Sequence, residues 1–229
     1  FVYGIATVFP RLVSVILVRV HTDKSVLSEV SEFGTLSLVF SYIILFNVIL
    51  SYGLETSFFR FYNTEKNKKD VLNTATISII ISSLIFASVF SIFKLNISDF
   101  TGINVSYLSI IVWILVADAL AVIPFAYLRL KGSALKYSVI KIINVLVYFS
   151  LNIFLLILLK DLSASYEIFE NIYFDNFEVA YIFIANLIAS VVSLLLLLPF
   201  YFKLNYRANF KLLRKMLLYA FPILISGLA

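Results

Sequence analysis

Residues 179–202 read VAYIFIANLIASVVSLLLLLPFYF, 24 consecutive positions without a charged side chain. At about 1.5 Å per residue, a helix of that length covers the roughly 30 Å hydrocarbon core of a bilayer. Strands of a membrane barrel alternate apolar and polar over only about 10 residues, and this run does not alternate. Backbone groups in lipid must be bonded within the chain, so a helix is the remaining solution. Outward from this stretch the same reading applies at about 1–20, 33–59, 71–93, 106–128 and 138–159. A further apolar run begins near Met216. The expected fold is therefore all-α and integral to the membrane. Residues 1–215 form a lobe of six transmembrane helices, and 216–229 start a seventh.

Composition agrees. Of 229 residues, 62% are hydrophobic and 14% charged, and mean hydropathy is +1.03. A soluble domain carries about 45–50% apolar and about 25% charged residues. The chain has no cysteine, which excludes disulfides, thiolate metal sites and thiol nucleophiles. Its one histidine, His21, reads as an exposed loop residue. No Gly-rich phosphate loop, Ser/His/Asp set or carboxylate pair at a membrane face is present, so neither an enzyme nor a cofactor is expected. The chain begins at Phe1 and stops at Ala229, each inside an apolar stretch, which reads as part of a longer protein. Arg11 and Arg19 in the first run argue against a secretory signal peptide.

The connecting segments alternate in charge. Segments 60–70, 129–137 and 203–215 hold twelve Lys/Arg in all, whereas 21–32, 94–99 and 160–178 hold three. Segment 160–178 also carries five acids: Asp161, Glu167, Glu170, Asp175 and Glu178. Short loops rich in Lys/Arg stay in the cytoplasm. The expectation is a multi-pass protein of the cell inner (plasma) membrane with a cytoplasmic N-terminus. The net charge of +5 is then a topology signal in contact with membrane lipids, not a nucleic-acid surface.

Polar groups inside the apolar runs are costly and mark pathways or cavities by default. Arg11 lies in the middle of the first run, Glu55 near the end of the second, Asp118 within the fourth and Lys141 at the start of the fifth. At 3.6 residues per turn, Lys141, Asn144, Tyr148 and Asn152 share one stripe. Asn47, Ser51 and Glu55 share another, as do Thr74, Ser78 and Ser82, and Asn186, Ser190 and Ser193. The stripe that begins at Lys141 reads as cavity lining, although Lys141 is near enough to the cytoplasmic end to snorkel there. The stripes on the third and sixth spans read as contacts between packed helices. Arg60 and Arg129 read as snorkelling to the headgroups. Arg11 is too deep for that and needs a partner, with Glu55 and Asp118 as candidate counter-charges. Pro124 and Pro199 remove helix hydrogen bonds and can kink their spans.

Several stretches resemble the polysaccharide flippases, the Wzx-like branch of the multidrug/oligosaccharidyl-lipid/polysaccharide exporter superfamily. They are Tyr3-Gly4 through Phe9-Pro10-Arg11-Leu12, Ser31-Glu32-Phe33-Gly34, Tyr219-Ala220-Phe221-Pro222 with Ser226-Gly227-Leu228, and most specifically Ser51-Tyr52-Gly53-Leu54-Glu55-Thr56-Ser57-Phe58-Phe59-Arg60-Phe61-Tyr62. The resemblance implies the N-terminal half of a 12–14-helix, two-lobe transporter with a cationic central cavity. Its cargo would be a polyprenyl-pyrophosphate-linked oligosaccharide for cell-surface polysaccharide such as lipopolysaccharide O-antigen. The polysaccharide polymerase machinery would be a partner.

Arg11 and Lys141 are then candidates for the pyrophosphate, because Arg suits bidentate phosphate contact and Lys acts as a point charge. Asn144, Tyr148 and Asn152 are candidates for sugar hydroxyls, and Glu55 and Asp118 for a coupling ion. Two alternatives stand beside this. One is an ion-coupled multidrug exporter of the same superfamily, which would want acids in its cavity. The other is a polytopic polysaccharide polymerase or acyltransferase, which would need catalytic groups in an outer loop such as 160–178.

Overall fold

The computed structural model describes residues 2–23, 26, 30–174 and 177–228. Among these the chain is all-helical, with no strand. In order the helices are α1 (Val2–His21), α2 (Val30–Ser51), α3 (Leu54–Thr64), α4 (Lys68–Thr101), α5 (Val105–Leu130) and α6 (Ala134–Ile153). A π-helical turn, Phe154–Leu158, then runs into α7 (Leu159–Ser163), followed by α8 (Glu167–Glu170), α9 (Glu178–Tyr201) and α10 (Phe210–Leu228).

Five units among the described residues are long and apolar enough to cross a membrane: Ser31–Thr64, Lys68–Thr101, Val105–Leu130, Ala134–Ser163 and Glu178–Tyr201. The first run is helical as expected, but α1, which carries Arg11 and Arg19, is not one of the five.

The expected single helix over 33–59 is broken. Tyr52 and Gly53 both take positive φ, 34° and 66°, and two left-handed residues in succession cannot continue a right-handed helix. Glycine is required at the second. A Cβ on Gly53 would lie 2.6 Å from the Ala220 carbonyl oxygen of α10, which packs directly on this kink. Leu54 and Phe58, both completely buried, then anchor α3. The expected loop at 94–99 is also absent, because α4 runs on to Thr101. Lys94 and the polar residues after it, Asn96, Ser98 and Asp99, all stay in the helix. The helix ends at Gly102, whose left-handed conformation lets its N–H bond the Ser98 carbonyl at 2.8 Å.

Helix α5 is the axis of the fold, with α4 and α9 against it and α2 across it. In its apolar window 67% of positions are buried, against 17% in Ala134–Ser163. Small residues explain the difference. Ala117, Ala119, Ala121 and Ala126 on α5 and Ala180, Ala185 and Ala189 on α9 are all buried, and such small residues on several faces of a helix let neighbouring backbones approach closely. Helix α6 packs on the other side of α9, and α1 packs on α6.

Candidate functional site: a polar cavity between the long helices

Five helices turn polar side chains into one cavity of about 670 Å³. From α2 and α3 come Asn47, Ser51 and Glu55; from α5, Asp118, Phe125 and Arg129; from α6, Tyr137, Lys141 and Asn144; and from α9, Asn186, Ser190 and Ser193. On α6 and α9 the spacing is i, i+4, i+7, which is one helix face.

Asp118 is held from both sides. Asn47 Nδ2 donates to its Oδ2 at 3.2 Å and Ser190 Oγ donates to its Oδ1 at 2.7 Å. These two bonds tie α2 and α9 to the central helix at a carboxylate that would otherwise be costly to bury. Glu55 forms an ion pair with the Arg129 guanidinium. That guanidinium also lies 5.0 Å from the Phe59 ring centre and 5.7 Å from that of Tyr137. The Nε of Arg129 is buried and lacks a hydrogen-bond partner among the described residues. Lys141 Nζ sits 4.4 Å over the Phe125 ring, a cation–π contact that holds it in the cavity. No carboxylate among the described residues comes within ion-pair distance of it.

The cavity thus contains Lys141, Asn144, Glu55 and Asp118 from the expected set. Arg11 is exposed on α1 and is not one of the lining residues. Neither expected counter-charge belongs to it, since Glu55 takes Arg129 and Asp118 takes the two polar side chains. Arg129 therefore turns inward instead of snorkelling. The stripe on α6 divides half-way. Tyr148 is half-buried against the hydrophobic core. Asn152 is fully buried, donates through Nδ2 to the Tyr148 carbonyl at 2.8 Å, and holds His21 Nε2 at 2.9 Å. His21, expected in an exposed loop, is 5% exposed and pins the end of α1 to α6.

The α9 stripe, expected as a packing contact, lines the cavity, whereas the α4 stripe does pack. Thr74 accepts the Asn209 N–H at 3.0 Å, and Ser78 shares a 2.7 Å hydrogen bond with the Tyr52 hydroxyl. The sequence reading missed Arg129, Phe125 and Tyr137. For the first two a signal existed: Asp118, Phe125 and Arg129 are spaced i, i+7, i+11, one face of α5.

In comparisons with family models, curated proteins and solved structures, the chain finds no match.

Proposed function

We propose that this chain is a six-helix lobe of a two-lobe transporter, with its N-terminus in the cytoplasm of a cell bounded by this membrane. The whole protein would move a polyprenyl-pyrophosphate-linked oligosaccharide from the inner to the outer leaflet for cell-surface polysaccharide synthesis. The observation that carries this reading is the polar cavity set among membrane-long helices, with Lys141 unpaired by any described carboxylate and Arg129 offering a buried free donor. The charge alternation of the connecting segments supports the orientation.

The cavity's volume lies within the roughly 300–1,000 Å³ of small-molecule sites, enough for a pyrophosphate and its first sugar while the isoprenoid stays in lipid. Lys141 meets the pyrophosphate as a point charge. Arg129 meets it through its planar fork and must leave Glu55 to do so. Cargo binding then frees the Glu55 carboxylate, which becomes able to take up a coupling cation or proton. Asn144 and Asn186 present amides that both donate and accept, as sugar hydroxyls require. Arg11, outside the lining, has no part in this scheme.

The test is flipping of a fluorescent lipid-linked disaccharide by the complete protein in proteoliposomes. Lys141→Ala and Arg129→Ala should each lower the rate at normal protein levels. Unchanged flipping in both rejects the reading. A second reading, a multidrug exporter of organic cations, is favoured by the two carboxylates in the same cavity, Glu55 and Asp118. It predicts that Asp118→Asn abolishes drug efflux while Lys141→Ala leaves it intact.

A further inference from the structure

A second cavity, of about 750 Å³, opens where α5 and α9 end and α6 begins. Its two helical walls follow the same order. On α6, Lys136 is followed by Val139, Ile140 and Ile143; on α9, Leu196, Leu197 and Phe200 lead to Lys203 just past the helix end. Each wall has a lysine at the lip and only apolar side chains below. Lys131, in the α5–α6 connection, adds a third cation, held 5.7 Å from the Tyr127 ring centre. Among the described residues no aspartate or glutamate lines the cavity, and none pairs with these three lysines. Along α6 the apolar wall from Leu135 to Ile143 is roughly 12 Å deep at 1.5 Å per residue. Leu135, Val139 and Leu196 are 69%, 51% and 42% exposed within it.

We infer that this groove is a binding site for an anionic diacyl phospholipid. The phosphate sits among Lys131, Lys136 and Lys203, and one acyl chain runs between α6 and α9 over Val139, Ile143 and Leu196. Charge complementarity argues for this occupant. Three like charges line one lip with no counter-ion among the described residues, and an apolar slot of acyl-chain depth lies beneath. A zwitterionic lipid would fill the slot but bring its own cation to the lip. A soluble anion would meet the lysines but leave the slot empty. The site is separate from the polar cavity and does not depend on what that cavity carries.

The experiment is native mass spectrometry of the complete protein, released from detergent after titration with phosphatidylglycerol or phosphatidylcholine of identical acyl chains. Wild type should retain phosphatidylglycerol at least about tenfold better, given roughly 1 kcal/mol of attraction per lysine near an anionic headgroup. Lys131→Gln/Lys136→Gln/Lys203→Gln should abolish the preference, and Val139→Trp, which fills the slot and keeps the lysines, should reduce it. The control Lys66→Gln/Lys68→Gln/Lys69→Gln should keep it. Three outcomes overturn the proposal: a lip triple variant that retains the preference, a Val139→Trp variant indistinguishable from wild type, or a polyprenyl phosphate that displaces phosphatidylglycerol at equal concentration. Circular dichroism and size-exclusion profiles matching wild type establish that the variants are folded.

Discussion

Thr74, Ser78 and Ser82 on α4 and Asn186, Ser190 and Ser193 on α9 are nearly the same pattern: small polar side chains at helical spacing in an apolar run. Their fates differ. The α4 stripe is absorbed locally: Thr74 takes a backbone N–H from the α9–α10 connection, Ser78 meets the Tyr52 hydroxyl at the kink, and Ser82 donates to its own helix at Ile79. The α9 stripe faces a space of about 670 Å³ and supplies a donor to Asp118. What separates them is the opposing surface. The α4 stripe meets backbone and a phenol that fill its hydrogen-bonding capacity, while the α9 stripe meets charged side chains from three other helices across a gap. A polar stripe in a membrane helix therefore declares a need for partners but not where they come from.

The comparison can be sharpened by substitution. The largest effect is expected at Lys141, the cation held over the Phe125 ring in the cavity that the α9 stripe lines. Under the proposed function, Lys141→Ala should cut flipping tenfold or more, because a lost charge-assisted contact is worth about 1.5–3 kcal/mol, with little change in thermal stability. Next is Thr74→Val, which orphans the Asn209 N–H and should cost about 1–3 kcal/mol of stability while transport per folded molecule holds. Thermal melting in detergent beside the flipping assay reads both. Ser190→Ala should cost less, about 1 kcal/mol, since Asp118 keeps Asn47 and can draw water from the cavity. If Ser190→Ala melts below Thr74→Val, the α9 stripe is a packing contact after all and the contrast collapses. Ser82→Ala should lie within about 0.5 kcal/mol of wild type, because its hydroxyl donates within its own helix to the Ile79 carbonyl and the Tyr52 hydroxyl keeps Ser78.

The long apolar runs were legible because lipid leaves the backbone one local solution, and a local rule can be read from local sequence. The boundaries were less so. Lys94 looked like a loop because charge is rare in these runs, but the helix runs through it and ends at Gly102. Of the site, Glu55, Asp118, Lys141 and Asn144 stood out as polar groups in apolar company. Arg129 was read as a surface anchor because its position near a helix end allows either fate. Only the presence of Glu55 on α3 across the gap turns it inward. His21 and Asn152 present the same problem in reverse: a loop-like histidine and a cavity-like asparagine satisfy each other 131 residues apart.

By itself, then, the sequence determined that this protein is helical, apolar enough over several long runs to cross a membrane, and burdened with polar groups it must satisfy. Run length, composition and charge are properties of the chain, and the bilayer constrains them directly. Which polar group answers which was decided only in the tertiary structure. The packing of α10 on the kink at Tyr52–Gly53, the packing of α9 on α5, and the pairings of Glu55 with Arg129 and Asp118 with Asn47 and Ser190 join residues far apart in the chain. Such pairings depend on how helices cross, and no local pattern encodes the crossing.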